Sequence, residues 1–255
     1  MSKAGSSTES STGGKAVYRN HAHYIAEGWS AEPKESFKQL AGIIAKKRAM
    51  SGLKVLDVGC ATGELLGFLS TQIEGGSFVG VDVTPELLET GRRLLPQARF
   101  VRASALALPS ELDAGFDLVC AIGCMSIFDE TQIEAFWDNL FRVAKPDGLI
   151  VVLSPLNQFG VDAMIRHRKR IDSRLGGWET GWNTFSVDTI AELVAARGGK
   201  LQIEPFRIGI DIAPRADPIR TWTISVGENP RQLTNGLKLL VDHEFMIVDR
   251  RMSYP

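Results

Sequence analysis

The residues best suited to chemistry lie in one short stretch, Lys54-Val55-Leu56-Asp57-Val58-Gly59-Cys60-Ala61-Thr62-Gly63-Glu64. The apolar run from Leu53 to Val58 predicts a short strand buried on both faces. A tight glycine turn follows, and Leu65, Leu66, Phe68 and Leu69 begin a helical pattern. Such a turn lets backbone touch a ligand. Glycine removes the Cβ that would hold the ligand off, and the free N–H groups of the first helical turn attract negative charge. About 20 residues further on, a second apolar run, Phe78-Val79-Gly80-Val81, ends in Asp82. A carboxylate at the end of a second strand can accept both hydroxyls of a ribose. Turn and acid together predict a bound cofactor that contains a nucleoside. A dinucleotide fingerprint starting at Gly59 would need two more glycines where this chain has Ala61 and Glu64. A bulky anion beside a pyrophosphate disfavours NAD.

The pattern Leu56-Asp57-Val58-Gly59-Cys60-Ala61-Thr62-Gly63, with Val81-Asp82-Val83-Thr84-Pro85 downstream, resembles the class I S-adenosylmethionine-dependent methyltransferases of the small-molecule type. The resemblance implies an α/β fold, a Rossmann-like, mostly parallel sheet of seven strands with helices on both faces. It implies S-adenosylmethionine as cofactor, which carries no phosphate and so tolerates Glu64. It places the methionine ammonium near Asp57, directly or through water, the ribose on Asp82 and the adenine face on Val83. Arg99-Phe100-Val101-Arg102 resembles the third strand. The family's usual Gly-Asp-Ala after it is replaced here by Ala103-Ser104-Ala105, so Ser104 offers adenine a hydroxyl, a weaker acceptor than a carboxylate. Phe116 to Ala121 resembles the fourth strand, and Pro146 to Leu153 the turn and fifth strand. The resemblance spans about 16–199. It assigns Asp57, Gly59, Cys60, Ala61, Gly63, Asp82, Val83, Ser104, Ala105, Ile122 and Tyr18 to the cofactor.

Composition agrees with this. The chain has 255 residues, 44% hydrophobic and 23% charged, enough for one large-cored α/β domain over 15–255 behind a Ser/Thr/Gly-rich tail, 1–14, expected to be disordered. Its formal net charge of −1 gives no global drive toward nucleic acid or an anionic membrane. Gly13-Gly14-Lys15 is no phosphate loop, because Glu9 stands where the motif needs a glycine. No apolar run approaches the ~20 residues that span a bilayer, and no apolar leader is present. Cys60, Cys120 and Cys124 form neither a disulfide framework nor a metal-ligand spacing. A cytoplasmic location and no bound metal are expected.

The remaining elements position the acceptor. A first helix over 16–29 carries Tyr18, His21, His23, Tyr24 and Ile25. Its histidines are either active-site groups or incidental to an amphipathic surface helix. Phe37, Leu40, Ile43 and Ile44 form a stripe that predicts a helix on the sheet edge. Thr84 is expected to cap a helix that has Pro85 at its first position. Glu130 to Lys145 reads as a helix with Phe136, Trp137 and Phe141 in the core. The loop Ala121 to Ser126 should pass the transfer centre. It lacks the Asn/Asp-Pro-Pro-aromatic run of amino-methylating DNA enzymes, and Cys124 reads as a lining residue rather than a nucleophile. Ser186 should cap a helix over 187–197 stopped by Gly198-Gly199. Glu244 to Asp249 reads as the terminal strand, with His243 just before it.

Two insertions are expected to select the substrate, about 154–185 and 211–243. The first holds Asn157, the run Arg166-His167-Arg168-Lys169-Arg170, and Trp178 and Trp182 among glycines. It reads either as a site for a polar, anionic or sugar-like substrate or as a solvated face and packed connection. The substrate contacts would be Asn157, Arg166, Arg170, Trp178 and Trp182. A hydroxyl acceptor needs a base, for which His167, His21, His23 and Asp129 are candidates, although four cations around His167 oppose its protonation. The predicted activity is O-methylation of a small polar or saccharide-like molecule. The alternatives are an RNA or DNA methyltransferase and a non-catalytic cofactor-binding protein. Oligomeric state is left open.

Overall fold

In the computed structural model the residues described are 25, 29, 32–158, 160–168, 170–171, 174–207, 223–226, 229–234 and 239–251. The tail 1–14 and the Tyr18, His21 and His23 of the expected first helix lie outside them.

Strand β1 (Lys54–Val58) is buried from Val55 onward, as a run apolar on both sides requires. It pairs in parallel with β2 (Ser77–Asp82) on one side and β4 (Phe116–Ile122) on the other. Strand β3 (Arg99–Arg102) adds in parallel beyond β2, and β5 (Ala144–Asn157) beyond β4. Strand β14 (Leu239–Asp249) runs antiparallel to β5, and β11 (Leu201–Phe206) antiparallel to β14. The order β3-β2-β1-β4-β5-β14-β11 accounts for the seven expected strands. Three short additions bring the sheet to ten: β10 (Phe185–Ser186) pairs with the end of β5, and β12 (Thr223–Val226) and β13 (Asn229–Thr234) extend from β14. Two small ribbons stand apart, β6 (Arg166–His167) with β9 (Glu179–Thr180) and β7 (Arg170–Ile171) with β8 (Arg174–Leu175).

Successive strand residues face opposite layers. Val55, Leu118, Val151 and Ile247 share a core with α1 (Glu35–Lys47), α2 (Glu64–Gln72) and Leu88 of α3 (Pro85–Leu94). Leu56, Val119, Ile150 and Val248 share the other with α4 (Ile133–Val143) and α5 (Val187–Ala195). Phe37, Leu40, Ile43 and Ile44 of α1 join the first of these cores, and Gln39 and Lys47 reach Pro205 and Gln202 of the edge strand β11, as the expectation of a helix at the sheet edge requires. Just past α1, Arg48 is forked onto Asp249 of β14 at 2.9 and 3.2 Å, with side chains only 8% and 6% exposed. Burial raises the Asp249 carboxyl, but hydrogen bonds from Arg48 and Arg251 outweigh it and hold the group well below the usual range.

Three boundaries differ from the sequence pattern. Helix α4 starts at Ile133, because the Asp129 carbonyl takes the N–H groups of Gln132 and Ile133 and its carboxylate holds Thr131. Thr84 stands at the start of α3, but its side chain makes no capping bond. His243 lies inside β14, opposite Pro155 of β5. Ser186 does cap α5, accepting from the Thr189 N–H. Among the described residues no helix is long and apolar enough to cross a membrane. The strand order reverses between β1 and β4, and that switch point opens the crevice where α/β sheets bind ligands.

Candidate cofactor and acceptor site

The crevice is framed by the turn after β1. Gly59, Ala61 and Gly63 take φ of 80°, 48° and 79°. A Cβ on Gly59 would stand 2.9 Å from the Cys124 Cβ, and one on Gly63 would stand 2.7 Å from the Phe100 ring. The Gly59 and Cys60 N–H groups both donate to the Val81 carbonyl, at 2.8 and 3.0 Å, and so tie the turn to the end of β2. Ala61 in the left-handed region is strained, and Asp82 holds it there. Its Oδ2 accepts from Ala61 N at 3.0 Å and its Oδ1 from Thr84 N at 2.9 Å. Each carboxylate oxygen keeps an acceptor site, so Asp82 can prop the turn and receive two hydroxyls at once.

Asp57 is 3% exposed. Among the described residues nothing donates a hydrogen bond to its carboxylate. Burial, and then the nearby charge of Asp82, push its carboxyl up to about 7. The adjacent Glu64 is ion-paired with Lys34. The Trp29 indole donates to Thr62 Oγ1 at 3.3 Å, and its ring covers Gly67 closely. Lys34 and Trp29 therefore tie down the turn and the start of α2.

Past Asp82, Val83 is 56% exposed. Ala103 N donates to the Asp82 carbonyl at 3.1 Å, which brings the loop 103–108 alongside. Ser104 and Ala105 are half-buried there, and Ser104 Oγ accepts from Leu106 N at 3.1 Å. Ile122 is half-buried at the end of β4. The Cys124 thiol donates to Val58 O at 3.3 Å. Burial, then the charges of Asp57 and Asp82, raise it, which makes it a poor nucleophile.

The insertion after β5 is anchored beside the loop that follows β4. Asn183, fully buried, donates from its backbone to Ser126 O and from Nδ2 to Phe128 O, both at 2.8 Å, and its Oδ1 accepts from Ile165 N at 2.8 Å. His167 stands opposite Glu179 in the β6–β9 ribbon, with Nε2 3.8 Å from Oε2. Glu179, twelve residues away, is the anion that sequence reasoning missed; no local pattern pairs it with His167. Asn183 was also missed.

Of the expected substrate residues the structure brings Arg166 and Trp178 together. Trp178 is 57% exposed, but Arg166 and Arg168 lie over its ring at 5.8 and 5.0 Å. Asn157 is buried and bonded to the backbone of Val161, closing its own turn. Trp182 is half-buried at φ 67°. Of Arg170 only the backbone is described. Asp129 is occupied with Thr131. A separate hollow between α4 and α5, lined by Glu134, Asp138, Glu192 and Leu193 among others, shares no residue with the glycine turn.

Residues 55–148 match the model of a methyltransferase domain family. The chain is 34% identical over 137 residues to a demethylmenaquinone methyltransferase of Thermus thermophilus, covering 50% of this chain and 60% of that one. It is 26% identical over 125 residues to a trans-aconitate 2-methyltransferase of Delftia acidovorans, covering 49% and 46%. The chain thus spans about half the length of these curated relatives. An S-adenosylmethionine-dependent methyltransferase from Methanosarcina mazei shares the fold, with a TM-score of 0.58 at 13% identity over 81% of this chain and 95% of that one. Residues 55–148 are thus matched as a methyltransferase domain, and the strand order and glycine turn resemble those of the class I S-adenosylmethionine-dependent methyltransferases.

Proposed function

We propose that this protein transfers a methyl group from S-adenosylmethionine to an oxygen of a small polar acceptor, anionic or saccharide-like, in the cytoplasm. The observation that carries the cofactor half is Asp57, buried and without a hydrogen-bond donor among the described residues. A buried carboxylate beside a glycine turn suits a cationic ligand and opposes a pyrophosphate. S-adenosylmethionine fits this donor set. Asp57 would take its ammonium, Asp82 its ribose hydroxyls and Val83 a face of its base. When bound it supplies the electrophilic methyl group.

The chain's own residues orient the acceptor, exclude water and accept its proton. His167 is our candidate base. Glu179 lies 3.8 Å from its Nε2 across the ribbon and can orient the imidazole. Arg166 and Arg168 offer guanidinium forks for a carboxylate or phosphate. The three free thiols agree with a reducing compartment.

The test is methyl transfer from labelled cofactor to a panel containing trans-aconitate, other carboxylates, sugars, sugar phosphates, demethylmenaquinol and tRNA. Turnover at a hydroxyl that is lost in His167→Ala, or at a carboxylate, which has no proton to give up and needs no base, supports the oxygen reading. Methylation of the quinol ring carbon alone would replace the oxygen reading. Methylation of the tRNA alone would replace the small-molecule one.

A further inference from the structure

The base end of the cofactor crevice has an unusual composition. With the ribose on Asp82 and the ammonium at Asp57, the nucleobase must leave on the opposite side, across Val83 and along the loop 103–108. That loop reads Ala-Ser-Ala-Leu-Ala-Leu. Ser104 supplies its one polar side chain and no carboxylate is present. The Ser104 hydroxyl is already half used. Its oxygen accepts the Leu106 N–H at 3.1 Å, while its carbonyl accepts the Ala107 N–H at 3.0 Å, so the side chain is fixed as part of the bend. One lone pair and one rotatable hydrogen remain. A neutral hydroxyl already in a hydrogen bond is a weak reader of an amino group, whereas a carboxylate forms a charge-assisted bond roughly twice as strong.

We propose that this protein recognises its cofactor's base chiefly by apolar contact and reads the adenine 6-amino group only weakly through Ser104, so that it accepts cofactors altered at that position. The inference rests on the S-adenosylmethionine reading above. Apolar contact on Val83 does not depend on the substituent at purine C6. Among the side chains of that loop the only discrimination left is one neutral hydrogen bond, so removing the amine should weaken binding by about 2- to 10-fold.

The experiment is calorimetric titration of the full chain with S-adenosylhomocysteine and with its 6-deamino (purine riboside) analogue. A ratio of dissociation constants under about tenfold supports the inference. In Ser104→Ala the ratio should fall toward one. In Ser104→Asp, which restores a charged acceptor, it should widen to tens of fold. A wild-type ratio above about fiftyfold would overturn the inference, with no variant needed. If S-adenosylhomocysteine itself fails to bind, the cofactor reading falls and the inference falls with it. Strong binding of that ligand together with strict rejection of the analogue refutes this inference alone.

Discussion

Replacing Asp82 tests the proposed site most directly, because propping the turn and holding the ribose are tasks that separate experimentally. In the free protein its carboxylate accepts the Ala61 and Thr84 N–H groups at 3.0 and 2.9 Å, holding a turn whose Ala61 has φ 48°. In the proposed complex its remaining acceptor sites would meet the two ribose hydroxyls. Hydrogen bonds to a charged group contribute about 1.5–3 kcal/mol each. Asp82→Ala should therefore weaken S-adenosylhomocysteine by about 3–6 kcal/mol, roughly 10²- to 10⁴-fold. It should also lower the melting temperature, because two half-buried N–H groups lose their partner. Calorimetry reads the first effect and thermal unfolding the second. A 2′-deoxy cofactor analogue separates them further. It should bind wild type more weakly than the parent ligand does, yet show no further loss in Asp82→Ala, since the interaction it deletes is already gone. A folded Asp82→Ala variant with a dissociation constant within about threefold of wild type would refute the placement of the ribose.

Asp57 titrates near 7 against an ordinary 3.8. Its folded-state value is raised, so its contribution to stability is present below the ordinary value and lost as pH rises to about 7, roughly 4 kcal/mol in all. Asp57→Asn should accordingly stabilise the ligand-free protein at pH 8 while weakening the cofactor, and wild-type cofactor affinity should rise about tenfold from pH 6 to pH 8 with proton release visible in calorimetry across buffers. Arg48→Leu strands the buried Asp249 carboxylate and should cost about 3 kcal/mol, at the low end for a buried pair because Arg251 remains. Asp249 is held low, so this stability is present above the ordinary carboxylate value and is lost as pH falls below it; the gap between wild type and variant in denaturant titrations should narrow toward pH 3. Asn183→Ala leaves Phe128 O and Ile165 N unpaired and should cost about 1–3 kcal/mol for each group. It should loosen 160–182 to limited proteolysis and reduce acceptor turnover more than cofactor affinity.

The cofactor cradle was legible in the sequence because its signals are local. A run apolar on both sides, a turn that needs positive φ, and an acid at the end of the next strand fall within Leu53 to Asp82, and backbone sterics leave few ways to fold them. The stripes of α1, α4 and α5 were legible for the same reason, since helical periodicity is a property of neighbours in the chain. Tertiary structure decided everything that depends on register between distant strands. Arg48 meets Asp249 across 201 positions. His167 meets Glu179 because β6 and β9 pair in one register. Trp178, 57% exposed, has Arg166 and Arg168 over its ring because β6 and β9 pair and bring 166–168 beside it. The sequence determined that a nucleoside cofactor has a place to sit. Only the folded chain made Asp82 the prop of its own turn, left Asp57 buried without a donor among the described residues, and set Asn183 between the basic insertion and the transfer loop. Those assignments depend on which groups lose water together, and burial is set by the whole packing rather than by any short stretch of chain.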